Sequence, residues 1–256
     1  MIGKPLTFIV GVALALAWRV PADAQAGIQQ ASDGGNDAAY GLDDACAGVP
    51  FTCNAPAEPT IKSSATVTPA TIAANLVDGR RITLRPGLYR DLWIPTDDQE
   101  IILQPGAVIP YLLIQSTASR IKVRGETARS GRIGPISVEK GATDVYFYQI
   151  NAVGTAPGNE IAVYGTRVAF VSSSLAMYRY CIYADPATDL IIANSELVSN
   201  GDGATPTHRI TNSNNTILVD SRVAIDSSHA VYRVQSDGGR STRNGKRRTS
   251  TENGRR

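Results

Sequence analysis

The sequence predicts an all-β chain folded as a single-stranded right-handed parallel β-helix over residues 61–235. Three observations carry that expectation. After Gly79 the apolar residues fall in short runs rich in Ile, Val and Leu, each bounded by Gly, Pro, Asp or Ser. No helical periodicity separates these runs, which excludes an alternating α/β plan. The runs also repeat at intervals near 22 residues, the length of one solenoid coil.

The repeat is read from residues 146–153, 168–175, 190–197 and 216–223, at offsets of 22, 22 and 26. One column reads Asn151, Ser173, Ser195, Ser221, and another reads Val153, Leu175, Leu197, Val223. A second family of strands begins at Ile136, Ile161, Ile182, Ile210 and Val231. No coil can bury its apolar face alone, so neighbouring coils must stack. The Asn/Ser column belongs at a bend, where side chains satisfy turn backbone groups up the stack. An antiparallel sandwich also gives short strands and turns, but it predicts no such column.

The elements follow in order from the N-terminus. Lys4, the apolar run at residues 6–18 and Ala22-Asp23-Ala24-Gln25-Ala26 have the layout of a secretory signal peptide over residues 1–26. The run is shorter than the roughly 20 residues of a membrane span. The mature chain is therefore expected to be secreted, periplasmic or on the cell surface, with no membrane partner after cleavage. In an oxidising compartment Cys46 and Cys53 are a plausible disulfide, with two free thiols as the alternative. Cys181 reads as a small buried apolar residue. Residues 27–60 read as a low-order linker or cap. Thr68-Pro69 reads as the start of a short capping helix ending at Asp78-Gly79.

The net charge of +2 is unevenly spread. Residues 236–256 carry seven basic and two acidic side chains, and the body over 27–235 is net acidic. The charge balance therefore gives no case for nucleic acid as a partner. Residues 236–256 contain no apolar side chain and are expected to be a disordered basic tail. The stack looks unfinished there, either because further coils are missing or because the tail is a natural basic extension.

At the level of whole coils the sequence resembles a family. Residues 79–95, GRRITLRPGLYRDLWIP, look like the first coil of the pectin-lyase-like right-handed β-helix superfamily. Residues 187–203 and 212–228 look like its later repeats. The resemblance implies an exported protein that acts on polysaccharide, as a lyase or a hydrolase. It equally implies a non-catalytic surface or adhesive β-helix, because the superfamily contains both. The hydrolase signatures are incomplete: Arg120-Ile121-Lys122 is present, but Asp97-Asp98 precedes it in a turn and there is no Gly-His-Gly. No metal signature is present, and no cofactor is expected. Calcium is the one cation the loop around Asp202 could take.

The expected register supplies candidate site residues. Aligning Ile161, Ile182, Ile210 and Val231 puts Asn159, Tyr180, His208 and His229 in one column, with Arg179, Arg209 and Glu160 close by. Two histidines with an arginine and an acid can supply a general base and charge stabilisation. A solvated polar turn is the plainer reading. Tyr164, Tyr183, Asp185 and Tyr232 would line an outward face of mixed aromatic and acidic character suited to sugar binding.

Overall fold

The computed structural model describes residues 53–178, 180–199, 208–210, 213–225, 228–237 and 240–243 of the 256-residue chain. Beyond residue 207, side chains are described for Ser213, Thr216, Ile217, Leu218 and Ser221. The chain divides into two units, and every described residue falls in the second, residues 40–256.

Strand β1 (Ser63–Val67) leads into six coils of three short strands each. The first is β2 (Arg80–Leu84), β3 (Gly87–Leu88) and β4 (Leu92–Ile94). The second is β5 (Gln99–Leu103), β6 (Ala107–Ile109) and β7 (Leu112–Ile114). The third is β8 (Ser119–Gly125), β9 (Arg132–Ile133) and β10 (Ile136–Val138). The fourth is β11 (Thr143–Tyr148), β12 (Asn151–Val153) and β13 (Ile161–Val163). The fifth is β14 (Thr166–Val171), β15 (Ser174–Met177) and β16 (Ile182–Ala184). The sixth is β17 (Thr188–Ala193), β18 (Glu196–Ser199) and β19 (His208–Ile210). Equivalent strands of successive coils pair in parallel and build three faces. Face one begins at β2, face two at β3 and face three at β4. The chain is a parallel β-solenoid.

The core is a set of stacked columns. On face one Ile82, Ile101, Val123, Phe147, Phe170, Ile192 and Leu218 follow one another in register, all buried. The Phe147 and Phe170 rings stack with centroids 4.6 Å apart. On face three Leu92, Leu112, Ile136 and Ile161 form an equivalent column, with Ile182 buried in the next coil. Period-two alternation puts every second side chain inward, so like residues meet like from coil to coil.

The serine column forms as expected at Ser173, Ser195 and Ser221, on the bend between faces one and two. The Ser173 amide donates to Ser195 Oγ and the Ser195 amide to Ser221 Oγ, each at 3.1 Å. Ser173 and Ser195 hydroxyls donate to Val171 and Ala193 carbonyls. Asn151 is not in this column. Ile150 takes the place, and its amide donates to Ser173 Oγ at 3.3 Å. The offset between β11 and β14 is 23 residues, pairing Val145 with Val168. That register puts Phe147 inward on Phe170, and a one-residue slip would have turned it outward.

Three further expectations change. Over residues 68–77 there is a single 3-10 turn, Ala73–Asn75. The Thr71 and Asn75 side chains bond local backbone groups there, which competes with a longer helix. The expected histidine column does not form. Ile182 pairs with His208 rather than Ile210. His229 lies in β21 (Ser228–Asp237), which returns antiparallel along β20 (Asn214–Ile225) and pairs it with Ala224. β20 runs unbroken through the bend and supplies faces one and two of a seventh coil, after which β21 turns back along it. Lastly, residues Arg240–Arg243 of the basic tail form β22, which pairs antiparallel with β21.

Candidate functional site

On face three, from the first coil to the fifth, the inward positions are apolar and the outward positions form one column, Trp93, Leu113, Ser137, Ala162 and Tyr183, with Arg209 next in backbone register. Trp93 is 56% exposed. Leu113, Ser137 and Ala162 stand between an indole at one end and a phenol toward the other. Their spacing of four coils is about 19 Å at ~4.8 Å per strand.

Tyr183 is held outward because Ile182 and Ala184 on either side are buried in the core. Its ring meets Tyr164 edge-on at 6.2 Å and Tyr180 at 5.7 Å. Its hydroxyl donates to Asp185 Oδ2 at 3.4 Å. Tyr164 follows β13 and Tyr180 precedes β16, so both flank the same short strand pair. Burial pushes the Tyr164 phenol up, and Tyr183, Glu160, Asp185 and Tyr111 add to that. The phenol therefore stays protonated and available as a donor.

The structure thus gathers Tyr164, Tyr183, Asp185 and Glu160 on one flank of the solenoid. Arg209 stands in register beside Tyr183, and His208 beside Ile182. Tyr232 and His229 are in β21, which pairs with β20 on the other faces, so they do not join this cluster. Arg179, Cys46 and Asp202 lie outside the described residues. Tyr180, Tyr111 and Trp93 complete the cluster and its column. Outward register marks Trp93 and the repeat alignment already contained Tyr180, whereas Tyr111 carries no repeat signal.

Other candidates have structural roles. Arg120 makes a two-pronged ion pair with Asp98, at 2.7 and 2.8 Å, across adjacent coils. Arg167 pairs with Asp144 of the coil before it, at 2.6 and 2.7 Å. Cys53 is disulfide-bonded. Cys181 is free and buried, and burial pushes its thiol up to about 12, which keeps it inert. Among the described residues no group of three or more His, Cys, Asp or Glu side chains could hold a metal ion.

No protein-family model, curated protein or solved structure matches this chain, so its class rests on the coil geometry: it is a parallel β-solenoid.

Proposed function

We propose that this is an exported β-solenoid that holds a polysaccharide strand along face three, and that recognition rather than turnover is its main task. The observation that carries the reading is the half-buried Tyr164–Tyr183 pair with Asp185, backed by the buried Tyr180 and continued along the coils to the exposed Trp93. Aromatic faces pack on the apolar faces of sugar rings, and phenols and carboxylates bond their hydroxyls. The coil repeat is close to the length of a pyranose residue, so successive coils meet successive sugars. The backbone register that would stack His229 on His208 is not the one the strands adopt, so the reading leans on the aromatic residues instead. Export rests on the signal-peptide layout of residues 1–26.

The test is binding of the mature chain to pectin, alginate and glycosaminoglycan, with assays for unsaturated ends and reducing ends alongside. Binding without release of either product supports the reading. Steady product release that His208→Ala abolishes would replace it with a polysaccharide lyase or hydrolase. Absence of binding to every glycan would remove both.

A further inference from the structure

Where the chain turns from face three into face one, each coil places one residue in the left-handed region. The column is Gly79, Asp98, Arg120, Asp144, Arg167 and Asp189, with φ between 53° and 70°. Five of the six are not glycine, in a conformation that L residues rarely adopt. The ion pairs Asp98–Arg120 and Asp144–Arg167 tie coils two to three and four to five.

Residues 53–60 lie along this seam. Asn54 Nδ2 donates to Asp189 Oδ1 at 3.0 Å, the Ala57 amide to Asp144 Oδ1 at 2.9 Å, and the Thr60 amide to Asp98 Oδ1 at 2.9 Å. The segment thus advances three residues for every two coils. Its sequence, Asn54-Ala55-Pro56-Ala57-Glu58-Pro59-Thr60, explains the match. Polyproline II has three residues per turn and rises ~3.1 Å per residue, so positions 54, 57 and 60 share one side about 9.3 Å apart. Two coils span about 9.6 Å. Pro56 and Pro59 have no amide to leave unpaired and pre-set the extended backbone. Pro56 is buried. Glu58 pairs with Lys122 at 2.8 Å, and Cys53 packs against the outward apolar cluster of Tyr146, Ala169, Val171, Ile191 and Ala193.

We propose that the carboxylate seam of Asp98, Asp144 and Asp189 is a docking track for a polyproline-II segment. Residues 53–60 of the same chain occupy it and act as a removable clasp on coils two, four and six. A solenoid coil otherwise touches only its neighbours. The clasp couples coils that do not touch.

Amide exchange on the full-length chain tests this, comparing wild type with Ala57→Pro. The substitution keeps the polyproline-II backbone and deletes the donor to Asp144. The expected result is at least a tenfold faster exchange at Thr60 and in β11, β14 and β17, with an unchanged circular dichroism spectrum. A synthetic peptide of residues 54–60 added to the variant restores protection. Unchanged exchange in the variant, or faster exchange that the peptide fails to reverse, overturns the proposal. Should Ala57→Pro unfold the chain, native-state exchange of the wild type decides. Ala57 and Thr60 amides that open together, ahead of β11 and β14, support a clasp. Amides that exchange only with global unfolding overturn it.

Discussion

Faces one and three are built from the same repeat, yet their outer surfaces have opposite fates. Face one carries the longer strands. Its outer surface begins charged, with Arg81 and Arg124 flanking the buried Glu100. It turns apolar and buried from the fourth coil, at Tyr146, Ala169, Val171, Ile191 and Ala193. Face three has three-residue strands and keeps its outer column open, with Trp93 at one end. The difference shows how a solenoid divides labour. One flank becomes a second buried layer that holds the coils together, and another keeps its outer column uncovered.

That division can be broken from either side. The largest expected effect is on face one: Phe170→Ala removes a ring stacked on Phe147 in the core column and should cost about 3–5 kcal/mol in urea unfolding. Ser195→Ala orphans the buried Ser173 amide and should cost about 1–3 kcal/mol by the same measurement. On face three, Tyr183→Ala should weaken glycan binding while disturbing stability less than either. Losing one aromatic anchor is worth about 1–2 kcal/mol, or roughly 5- to 30-fold in affinity. Equal losses of stability at Tyr183 and Phe170 would erase the contrast between the faces.

The smallest effect concerns pH. The Arg120 hydrogen bonds, and then the Thr60 amide, hold the Asp98 carboxyl at about 2, below its ordinary value of 3.8. A lowered folded-state pKa adds stability above the ordinary value, and this is lost as pH falls through about 2. Asp98→Asn should therefore flatten the acid limb of a stability profile between pH 4 and 2 and leave the neutral region's slope unchanged. An acid limb as steep as that of wild type would show that the pair is screened by solvent.

Much of face three and the serine bend was legible in the sequence. Ile136, Ile161 and Ile182 keep one register because β-branched residues recur on the inward side. Ser173, Ser195 and Ser221 repeat in type and so mark their corner. Asn151 misled because its coil is one residue longer, and polarity alone does not fix a register. The histidine column failed because Ile182 pairs with His208, two residues off the expected register, and because the chain reverses after Ile225 into a hairpin that carries the same strand-forming residues as another coil. The seam was hidden for a different reason. Asp and Arg alternate along it, so no residue type recurs from one coil to the next, and the segment that docks on it has no apolar period at all.

The serine bend has one more consequence. Each hydroxyl there accepts an amide from the preceding coil and also bonds a backbone carbonyl, on a corner closed to water. A coil stacked one residue out of step would strand hydroxyls and amides there without partners, at roughly 1–3 kcal/mol each. Correct stacking gains far less than that from the same groups. The corner therefore penalises a misaligned register more strongly than it rewards an aligned one.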